Sequence, residues 1–279
     1  MTAAEALAAA AAKLRAAGVA DPARDARVLL AHAAKIDAAR VTLIAPEDLS
    51  PDIEERFANL VSLRAVRVPV SHLVGEREFY GRAFKVSGDV LDPRPETETL
   101  IEAALAEPFG SVLDLGVGSG CILVTLLAER PHAVGVGIDL SEMACLQASA
   151  NAHLHKVDSR TDIRQSDWFG AVRERFDLIV SNPPYLTAQE YQDAQPELRE
   201  HEPEIALTDG LDGLDAYRQI AEGAARHLEP GGRVLVEIGA TQAKDVVAIF
   251  ESAGATSIHL LNDLDGRNRV VAARFDENQ

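Results

Sequence analysis

Two kinds of hydrophobic spacing divide the chain. Over residues 1–67, apolar side chains such as Leu7, Ala11 and Leu14 recur at intervals of three and four residues, which is typical of amphipathic helices. From residue 111 onwards, short continuous apolar runs alternate with longer helical patterns, which favours strands and helices in turn. The first part is therefore predicted to be a small helical bundle, and the second an α/β domain with a parallel sheet.

Between these parts, residues 68–92 contain shorter apolar groups that are separated by glycine. Three such groups, the first at 72–75, predict short strands and hence a β-hairpin that links two domains. We therefore divide the chain into a helical bundle over 1–67, a β-hairpin linker over 68–92 and a larger domain over 93–279. The bundle shows no chemistry-bearing motif, so a role in substrate recognition or packing is expected for it.

A glycine-rich turn gives the clearest indication of the fold. The apolar run 111–115 predicts a buried strand, and an apolar helix is predicted over 121–130. Strand, glycine-rich turn and helix form the opening unit of a doubly wound sheet, where backbone approaches a ligand at the helix N-terminus. The next strand ends in Asp139, where an acid can accept hydrogen bonds from ribose hydroxyls. The turn consists of Gly116, Val117, Gly118, Ser119 and Gly120.

The spacing within this turn restricts the ligand. The pattern is Gly-x-Gly-x-Gly, whereas nicotinamide-binding enzymes favour Gly-x-Gly-x-x-Gly. No lysine follows at the position that binds phosphates in a P-loop. We therefore predict a nucleoside-bearing ligand without a recognised phosphate site.

Asn182-Pro183-Pro184-Tyr185 directly follows the apolar run 176–181, which predicts another buried strand. Proline fixes φ and has no N–H group, so the backbone here is stiff and offers carbonyl acceptors. Together with the Asn182 amide and the aromatic face of Tyr185, this set suits a planar NH2 group. The four residues alone are equally compatible with an ordinary proline-rich turn, although ligands of α/β sheets bind at such strand ends.

A long polar and acidic connection follows over residues 186–210. A connection of this length within a compact domain is usually a functional lid or a disordered segment. Beyond it, residues 215–228 predict a helix, 229–232 a turn and 233–238 a strand.

Composition narrows the class of protein. The 279 residues are 47% hydrophobic, which is enough for a packed core, and carry a net charge of −17. Such acidity disfavours binding of bare nucleic acid, which needs clustered Lys and Arg. The two cysteines, Cys121 and Cys145, lack metal-ligand spacing, so no metal site is predicted. With neither a basic N-terminal region nor a membrane-length apolar run, we expect a reducing, cytoplasmic compartment and no membrane partner.

Several motifs occur in an order that resembles the HemK/PrmC family, the glutamine methyltransferases that act on peptide-chain release factors. The resemblance is close from residue 68 onwards and rests on architecture alone in the helical part. Val117 stands where the family commonly has threonine, and Asp92 replaces a usually apolar residue. The matching segments are 75–81, 93–98, 114–120, 165–169, 181–185, 210–218, 237–239 with Gln242, and 266–271.

The resemblance implies a class I, Rossmann-like S-adenosylmethionine-dependent methyltransferase with a seven-stranded sheet. Residues 116–120 would form the cofactor loop, Asp139 would bind the ribose hydroxyls, and Trp168 would lie near the adenine. Asn182 would border both cofactor and substrate. The glutamine amide would be held by Asn182, Pro183, Pro184 and Tyr185, and Asn182, Pro183 and Tyr185 would be catalytic.

The implied reaction transfers a methyl group from S-adenosyl-L-methionine to the side-chain amide nitrogen, N5, of the glutamine in the Gly-Gly-Gln motif of class-1 release factors. This modification modulates translation termination, and a cytoplasmic monomer without direct nucleic-acid binding is expected. The alternative is an adenine-N6 or guanine-N2 nucleic-acid methyltransferase, because related tetrapeptides there receive the same planar NH2 group. The net charge of −17 favours a protein substrate. A non-catalytic cofactor-binding adaptor is disfavoured by the intact turn, Asp139 and Asn182.

Overall fold

The computed structural model describes residues 1–275 and contains two compact units. The first comprises Met1–Glu76 together with Gln195–His201. The second comprises Arg77–Ala194 together with the chain from Glu202 onwards. Segment Gln195–His201 therefore belongs to the first unit, although it interrupts the sequence of the second.

Helices dominate the first unit, and helices alternate with strands in the second. The helices are α1 (Ala3–Ala16), α2 (Pro22–Ala34), α3 (Val41–Ile44), α4 (Pro51–Ala65), α5 (Val70–Val74), α6 (Glu98–Leu105), α7 (Cys121–Glu129), α8 (Glu142–Leu154), α9 (Ala188–Asp193), α10 (Pro196–His201), α11 (Asp215–His227) and α12 (Ala243–Ser252). The strands are β1 (Glu76–Phe79), β2 (Arg82–Lys85), β3 (Ser111–Leu115), β4 (Val134–Asp139), β5 (Thr161–Gln165), β6 (Phe176–Ser181), β7 (Leu228–Glu237), β8 (Ala255–Asn262) and β9 (Asn268–Phe275). Short 3-10 helices lie at Ala38–Arg40, Pro95–Thr97, Asp158–Arg160, Trp168–Ala171 and Glu204–Ala206.

Helix α1 begins at a capping box. The Thr2 hydroxyl accepts a hydrogen bond from Glu5 N, and the Glu5 carboxylate accepts one from Thr2 N, which satisfies N–H groups that a helix start leaves free. The periodicity predicted this helix, but Leu7 and Ala11 are only half-buried. Small alanine side chains allow a closer approach between helices, and the alanine face is the one that packs. The buried face consists of Ala3, Ala6, Ala10 and Leu14.

The prediction of a strand at 72–75 was wrong, because this segment lies in and directly after helix α5. Gly75 ends the helix with a φ of 75°, a left-handed conformation that glycine adopts without strain. A short apolar group is equally suited to a buried helix and a buried strand, so periodicity alone does not separate them. A hairpin does follow, in which β1 and β2 pair around Tyr80 and Gly81, both with positive φ.

The second unit is built on a seven-stranded sheet with the order β5-β4-β3-β6-β7-β9-β8. Neighbouring strands from β5 to β7 pair in parallel, and β9 pairs antiparallel with both β7 and β8. The predicted doubly wound α/β fold is thereby confirmed. Because β4 lies on one side of β3 and β6 on the other, the strand order reverses between β3 and β6. Ligands of such sheets bind at the carboxyl ends of the strands at this switch point.

Apolar side chains cover both faces of this sheet. Val112 of β3 packs with α6 and α7 on one face, and Leu113 packs with α11 and α12 on the other, as the two-residue period of a strand requires. Gly135 of β4 makes room for α7, because a Cβ there would lie 2.6 Å from Leu123 Cδ1. Helix α7 therefore packs closely against strand β4.

The turn predicted at 229–232 occurs there but lies inside β7, so the predicted start of this strand at residue 233 was wrong. Leu228 pairs with Phe176, and the next pair joins Arg233 to Leu178. The residues between these pairs form an irregularity in which Gly231 has a φ of 78°. Residue types predicted the turn conformation but not the strand pairing that continues on both sides of it.

The connection predicted to be a lid or a disordered segment contains α9, α10 and a 3-10 helix. Within the first unit, Glu197 of α10 accepts hydrogen bonds from Arg64 Nη2 at 2.9 Å and Arg67 Nε at 2.7 Å. Arg64 also donates to Asp25 Oδ2 at 2.7 Å. Burial alone would raise the pKa of Glu197, but the hydrogen bonds from Arg67 and Arg64 lower it overall. Helix α10 is thus held in the first unit by a largely buried ion-pair network.

Replacing Glu197 tests this network. Glu197→Ala should lower the free energy of unfolding by about 3 kcal/mol, because Arg67 loses its carboxylate partner and Arg64, which keeps Asp25, loses one of two in a largely buried place. Urea denaturation measures the loss. Glu200→Ala is the matched control on the same helix, because its side chain is 51% exposed, and a change below about 0.5 kcal/mol is expected. Equal losses in the two variants would contradict the role of the network.

Candidate active site

A cavity of about 210 Å³ lies in the second unit at the carboxyl ends of β3, β4 and β6. The structure brings most of the predicted site residues together around it. Four of them do not line the cavity, namely Ser119, Gly120, Pro183 and Tyr185. Those that line it are Gly116, Val117, Gly118, Asp139, Trp168, Asn182 and Pro184.

The turn after β3 presents its backbone to this cavity. Gly116, Gly118 and Gly120 have φ values of 76°, 52° and 80°, a region in which other residues are strained. A Cβ at Gly120 would lie 3.1 Å from Ala148 Cα, so this glycine also lets α8 pack against the turn. The glycine spacing that predicted a ligand-binding turn therefore reflects both conformation and close packing.

Asp139 ends β4 beside the glycine turn. Its Oδ2 accepts a hydrogen bond from Gly118 N and its Oδ1 accepts one from Ser141 N, both at 2.9 Å. Burial raises the pKa of this carboxyl group, and the backbone hydrogen bonds oppose the rise. Because each carboxylate oxygen can accept two hydrogen bonds, both oxygens keep capacity for a ligand in the cavity.

Asn182 directly follows β6 and lines the same cavity. Its Nδ2 donates to Thr97 Oγ1 at 3.2 Å, whereas its Oδ1 is buried without a hydrogen-bond partner among the described residues. A buried acceptor without a donor costs about 1–3 kcal/mol. An NH2 group of a ligand would supply the missing donor.

Two residues without a role assigned from the sequence support Asn182. Thr97 Oγ1 donates to Glu237 Oε2 at 2.6 Å, and the two residues are 2% and 1% exposed. Burial raises the pKa of Glu237 to about 7, against the lowering effects of the Thr97 hydrogen bond and the Arg269 charge. Both residues lie in segments that match the family motifs, but neither segment indicates that the two side chains meet.

Tyr185 is fixed through its backbone as well as its ring. Its carbonyl oxygen accepts a hydrogen bond from Gln242 Nε2 at 2.8 Å. A Cβ at Gly213 would lie only 2.3 Å from the same oxygen, so a glycine is required there. Burial raises the pKa of the Tyr185 phenol to about 12, which keeps it neutral at physiological pH. The end of the tetrapeptide is therefore rigidly placed.

The predicted lid contributes a wall of the cavity. Pro203, Ile205 and Ala206 line it. Directly before them, Glu202 is 7% exposed and accepts a hydrogen bond from Arg94 Nη2 at 2.6 Å. Burial raises the pKa of Glu202, and the Arg94 charge opposes this rise. The carboxyl-terminal end of the connection is thus anchored within the second unit by an ion pair between the buried Glu202 and the half-buried Arg94.

The site suits a nucleoside-bearing sulfonium cofactor. The glycine turn, an acid with free acceptor capacity and Trp168 line one cavity, and Asn182, whose side-chain oxygen is buried without a partner among the described residues, lines it as well. Within residues 1–275, no group of three or more His, Cys, Asp or Glu side chains is placed to hold a metal ion. Together with the sheet order, these features define a class I S-adenosylmethionine-dependent methyltransferase.

Comparisons with known proteins narrow this class. The family model of the PrmC N-terminal domain matches residues 5–75, and that of the methyltransferase small domain matches residues 86–201. A release factor glutamine methyltransferase of Cereibacter sphaeroides is 58% identical over 275 residues, with 99% of each chain covered. A protein of the same name from Rhodospirillum rubrum is 40% identical, with 94% of this chain and 82% of that one covered. The chain belongs to the release factor glutamine methyltransferase family.

Solved structures show the same fold at low sequence identity. A methyltransferase from Pyrococcus furiosus has a TM-score of 0.54 at 15% identity, covering 70% of this chain and 89% of its own. The catalytic domain of hMettl16, solved in complex with a 3′UTR hairpin, has a TM-score of 0.58 at 12% identity, covering 79% and 83%. These likenesses support the fold alone.

The raised pKa of Glu237 predicts a pH-dependent stability. Between the ordinary glutamate pKa of 4.5 and the folded-state pKa of about 7, the native state binds more protons than the unfolded state, so wild-type stability falls as pH rises. Glu237→Gln keeps an acceptor oxygen but does not ionise. The variant should therefore gain about 3 kcal/mol over the wild type between pH 4.5 and pH 8.

Urea denaturation of both proteins at the two pH values measures this gain. Glu229→Gln is the matched control, because Glu229 lies in the same strand and is exposed. Because this side chain is exposed, its replacement should change the free energy of unfolding by less than about 0.5 kcal/mol at either pH. A constant difference for Glu237→Gln would show that burial of this carboxyl group carries no such cost.

Proposed function

We propose that the enzyme transfers a methyl group from S-adenosyl-L-methionine to the side-chain amide nitrogen, N5, of the glutamine in the Gly-Gly-Gln motif of class-1 peptide chain release factors, and so modulates translation termination. Family membership supports this, because relatives at 58% and 40% identity are named release factor glutamine methyltransferases. The observation that carries the proposal is the partnerless Oδ1 of Asn182, in a residue that lines the same cavity as the glycine turn.

The chemical difficulty lies in the amide nitrogen, which is a poor nucleophile because its lone pair is delocalised into the carbonyl group. The Asn182 Oδ1 and the Pro183 carbonyl oxygen would accept hydrogen bonds from the NH2 group and favour a pyramidal nitrogen. The same acceptors would stabilise the positive charge that develops on nitrogen during transfer. Preorganised dipoles of this kind are worth about 3–4 kcal/mol per lost contact.

The bound cofactor supplies an electrophilic methyl group on a sulfonium centre. Tyr185 would pack its aromatic face against the plane of the substrate amide, and Pro184 would complete the wall beside it. The proposal requires no general base, because an N-alkylated amide cation is acidic enough to release its proton readily. The protein would thus contribute to this reaction by orienting the substrate amide and by stabilising the charge that develops on its nitrogen.

For the cofactor itself, we assign residues 116–120 to the binding loop, Asp139 to the ribose hydroxyls and Trp168 to the adenine. Asn182 would border both cofactor and substrate. The assignment is supported by the single cavity that Gly116, Asp139 and Trp168 line together.

The partner and setting are proposed on broader grounds. The helical bundle over 1–67 would recognise the release factor, residues 68–92 would link it, and 93–279 would carry catalysis. The net charge of −17 supports a protein substrate over direct binding of nucleic acid. Among the described residues, no helix has the length and apolar character to cross a membrane. We propose a monomeric enzyme that acts in the cytoplasm.

Methyl transfer from radiolabelled cofactor to class-1 release factors tests the substrate. We expect label on the wild-type release factor and none on a variant with the Gly-Gly-Gln glutamine replaced, because the accepting nitrogen is then missing. Label on that variant would refute the target site. Label on nucleic acid alone would instead favour an adenine-N6 or guanine-N2 methyltransferase.

A pair of variants separates cofactor binding from catalysis. Asn182→Ala should abolish transfer with little loss of cofactor affinity, because its oxygen is assigned to the substrate amide. Asp139→Ala should weaken cofactor binding, because its carboxylate is assigned to the ribose. Calorimetry measures the affinities and the release-factor assay measures the turnover. Near-normal turnover of Asn182→Ala, or unchanged affinity of Asp139→Ala, would refute the corresponding assignment.

A further inference from the structure

Three side chains from separate parts of the second unit form one hydrogen-bonded chain. Glu237 ends β7, Thr97 ends the 3-10 helix before α6, and Asn182 follows β6. The Thr97 hydroxyl lies 2.6 Å from Glu237 Oε2 and 3.2 Å from Asn182 Nδ2. Thr97 and Glu237 are almost fully buried, so the hydrogen bond between them is shielded from water.

The number of protons available determines how the Asn182 amide points. A carboxylate only accepts hydrogen bonds, and a hydroxyl has a single proton to donate. When Thr97 donates that proton to Glu237, its oxygen can only accept, so the Asn182 NH2 group must face it. The Asn182 Oδ1 is then left facing away from Thr97, and it is buried without a partner.

The opposite orientation of the amide would be unfavourable at both ends. It would place Asn182 Oδ1 against the Thr97 oxygen, two acceptors without a proton between them. It would also turn the Asn182 NH2 group towards the substrate NH2 group, two donors without an acceptor. Only one of the two orientations therefore matches the chemistry of an amide substrate.

We propose that Thr97 and Glu237 are positioning residues that fix the orientation of the Asn182 carboxamide, so that Oδ1 is held ready to accept a hydrogen bond from the substrate NH2 group. This inference rests on the proposed methylation of an amide nitrogen. Both act through Asn182, because the Thr97 hydroxyl bonds the Asn182 amide directly and Glu237 bonds that hydroxyl.

The chain of hydrogen bonds depends on the charge of Glu237. A protonated Glu237 can itself donate to Thr97, which frees the Thr97 proton to bond Asn182 Oδ1 and removes the restraint. Burial raises the pKa of Glu237 to about 7. Among the described residues, the other charged or titratable groups that interact with it are Arg94, Glu96, Arg269, Cys121, Tyr185 and Tyr217.

Replacing the Thr97 hydroxyl by a methyl group tests the proposal. Thr97→Val has nearly the same shape but cannot accept from Asn182, so kcat should fall about tenfold. Cofactor affinity, measured by calorimetry, should change less than about twofold, because both hydrogen bonds of the hydroxyl run to Glu237 and Asn182 and its exchange for a methyl group keeps the shape of the cavity wall to which Thr97 contributes. Thr97→Ser restores the hydroxyl and should restore kcat.

Thr125→Val is the matched control. Thr125 lies in α7, is fully buried and has a hydroxyl without a partner among the described residues, so loss of that hydroxyl should leave kcat unchanged. A Thr97→Val enzyme with wild-type kcat would overturn the proposal. So would a Thr97→Ser enzyme that stays as slow as Thr97→Val, since the hydroxyl would then not be the cause.

A pH profile tests the part of Glu237. The wild-type kcat should decline below about pH 7 as this carboxylate is protonated. Glu237→Gln should be slower and should lack that decline, because glutamine does not titrate and can turn either end towards Thr97. Profiles of the same shape in both enzymes would overturn the role of Glu237.

A measurement without turnover separates this inference from the proposed function. In the 15N-labelled wild-type enzyme, the Asn182 side-chain NH2 protons should show a nuclear Overhauser effect to the Thr97 methyl group. Its absence would overturn the assigned orientation, whichever substrate the enzyme methylates. If the effect is present but no release factor is labelled, the proposed substrate fails and the orientation stands.

Discussion

The parallel pairing of β3 with β6 is the constraint on which the site depends. Leu115 and Ser181 form the last pair of this ladder, and the Ser181 hydroxyl donates to the Leu115 carbonyl oxygen at 2.6 Å. A buried carbonyl group at the end of a ladder is thereby satisfied. Beyond this pair the two strands continue as the glycine turn and as Asn182, so the reversal of strand order places the proposed cofactor turn beside the residue proposed to bind the substrate amide.

Buried polar side chains restrain the backbone at and around the tetrapeptide of residues 182–185. Gln242 donates to the carbonyl oxygens of Tyr185 and Gly213, and the Tyr217 hydroxyl donates to the Glu237 carbonyl oxygen at 2.9 Å. Each bond satisfies a group that would otherwise be costly to bury. The prolines stiffen the tetrapeptide, and these hydrogen bonds restrain the residues around it. The acceptor oxygens of the tetrapeptide therefore hold fixed positions before a substrate binds.

Local patterns in the sequence predicted much of the fold, because strand, glycine turn and helix each leave a short-range signal. The short segment at 72–75 was misassigned because its length does not distinguish helix from strand. The meeting of Thr97 with Glu237 spans 140 residues and depends on the order of strands in the sheet, which no local pattern contains. Asn182 was found from its neighbours in the chain, whereas its supporting residues are neighbours only in space.

Glutamate and glutamine at position 237 would differ both in charge and in hydrogen-bonding capacity. Burial disfavours its charge, and a glutamine of similar shape would avoid that cost. Glutamine, however, offers both a donor and an acceptor, so it can satisfy Thr97 in either sense. A carboxylate only accepts hydrogen bonds, so Thr97 donates its proton to Glu237. The Thr97 oxygen then accepts from the Asn182 NH2 group, which leaves the Asn182 Oδ1 as an acceptor. Burying the charge of Glu237 therefore lowers stability, but it also fixes a single hydrogen-bonding pattern, which is the pattern that an amide substrate needs.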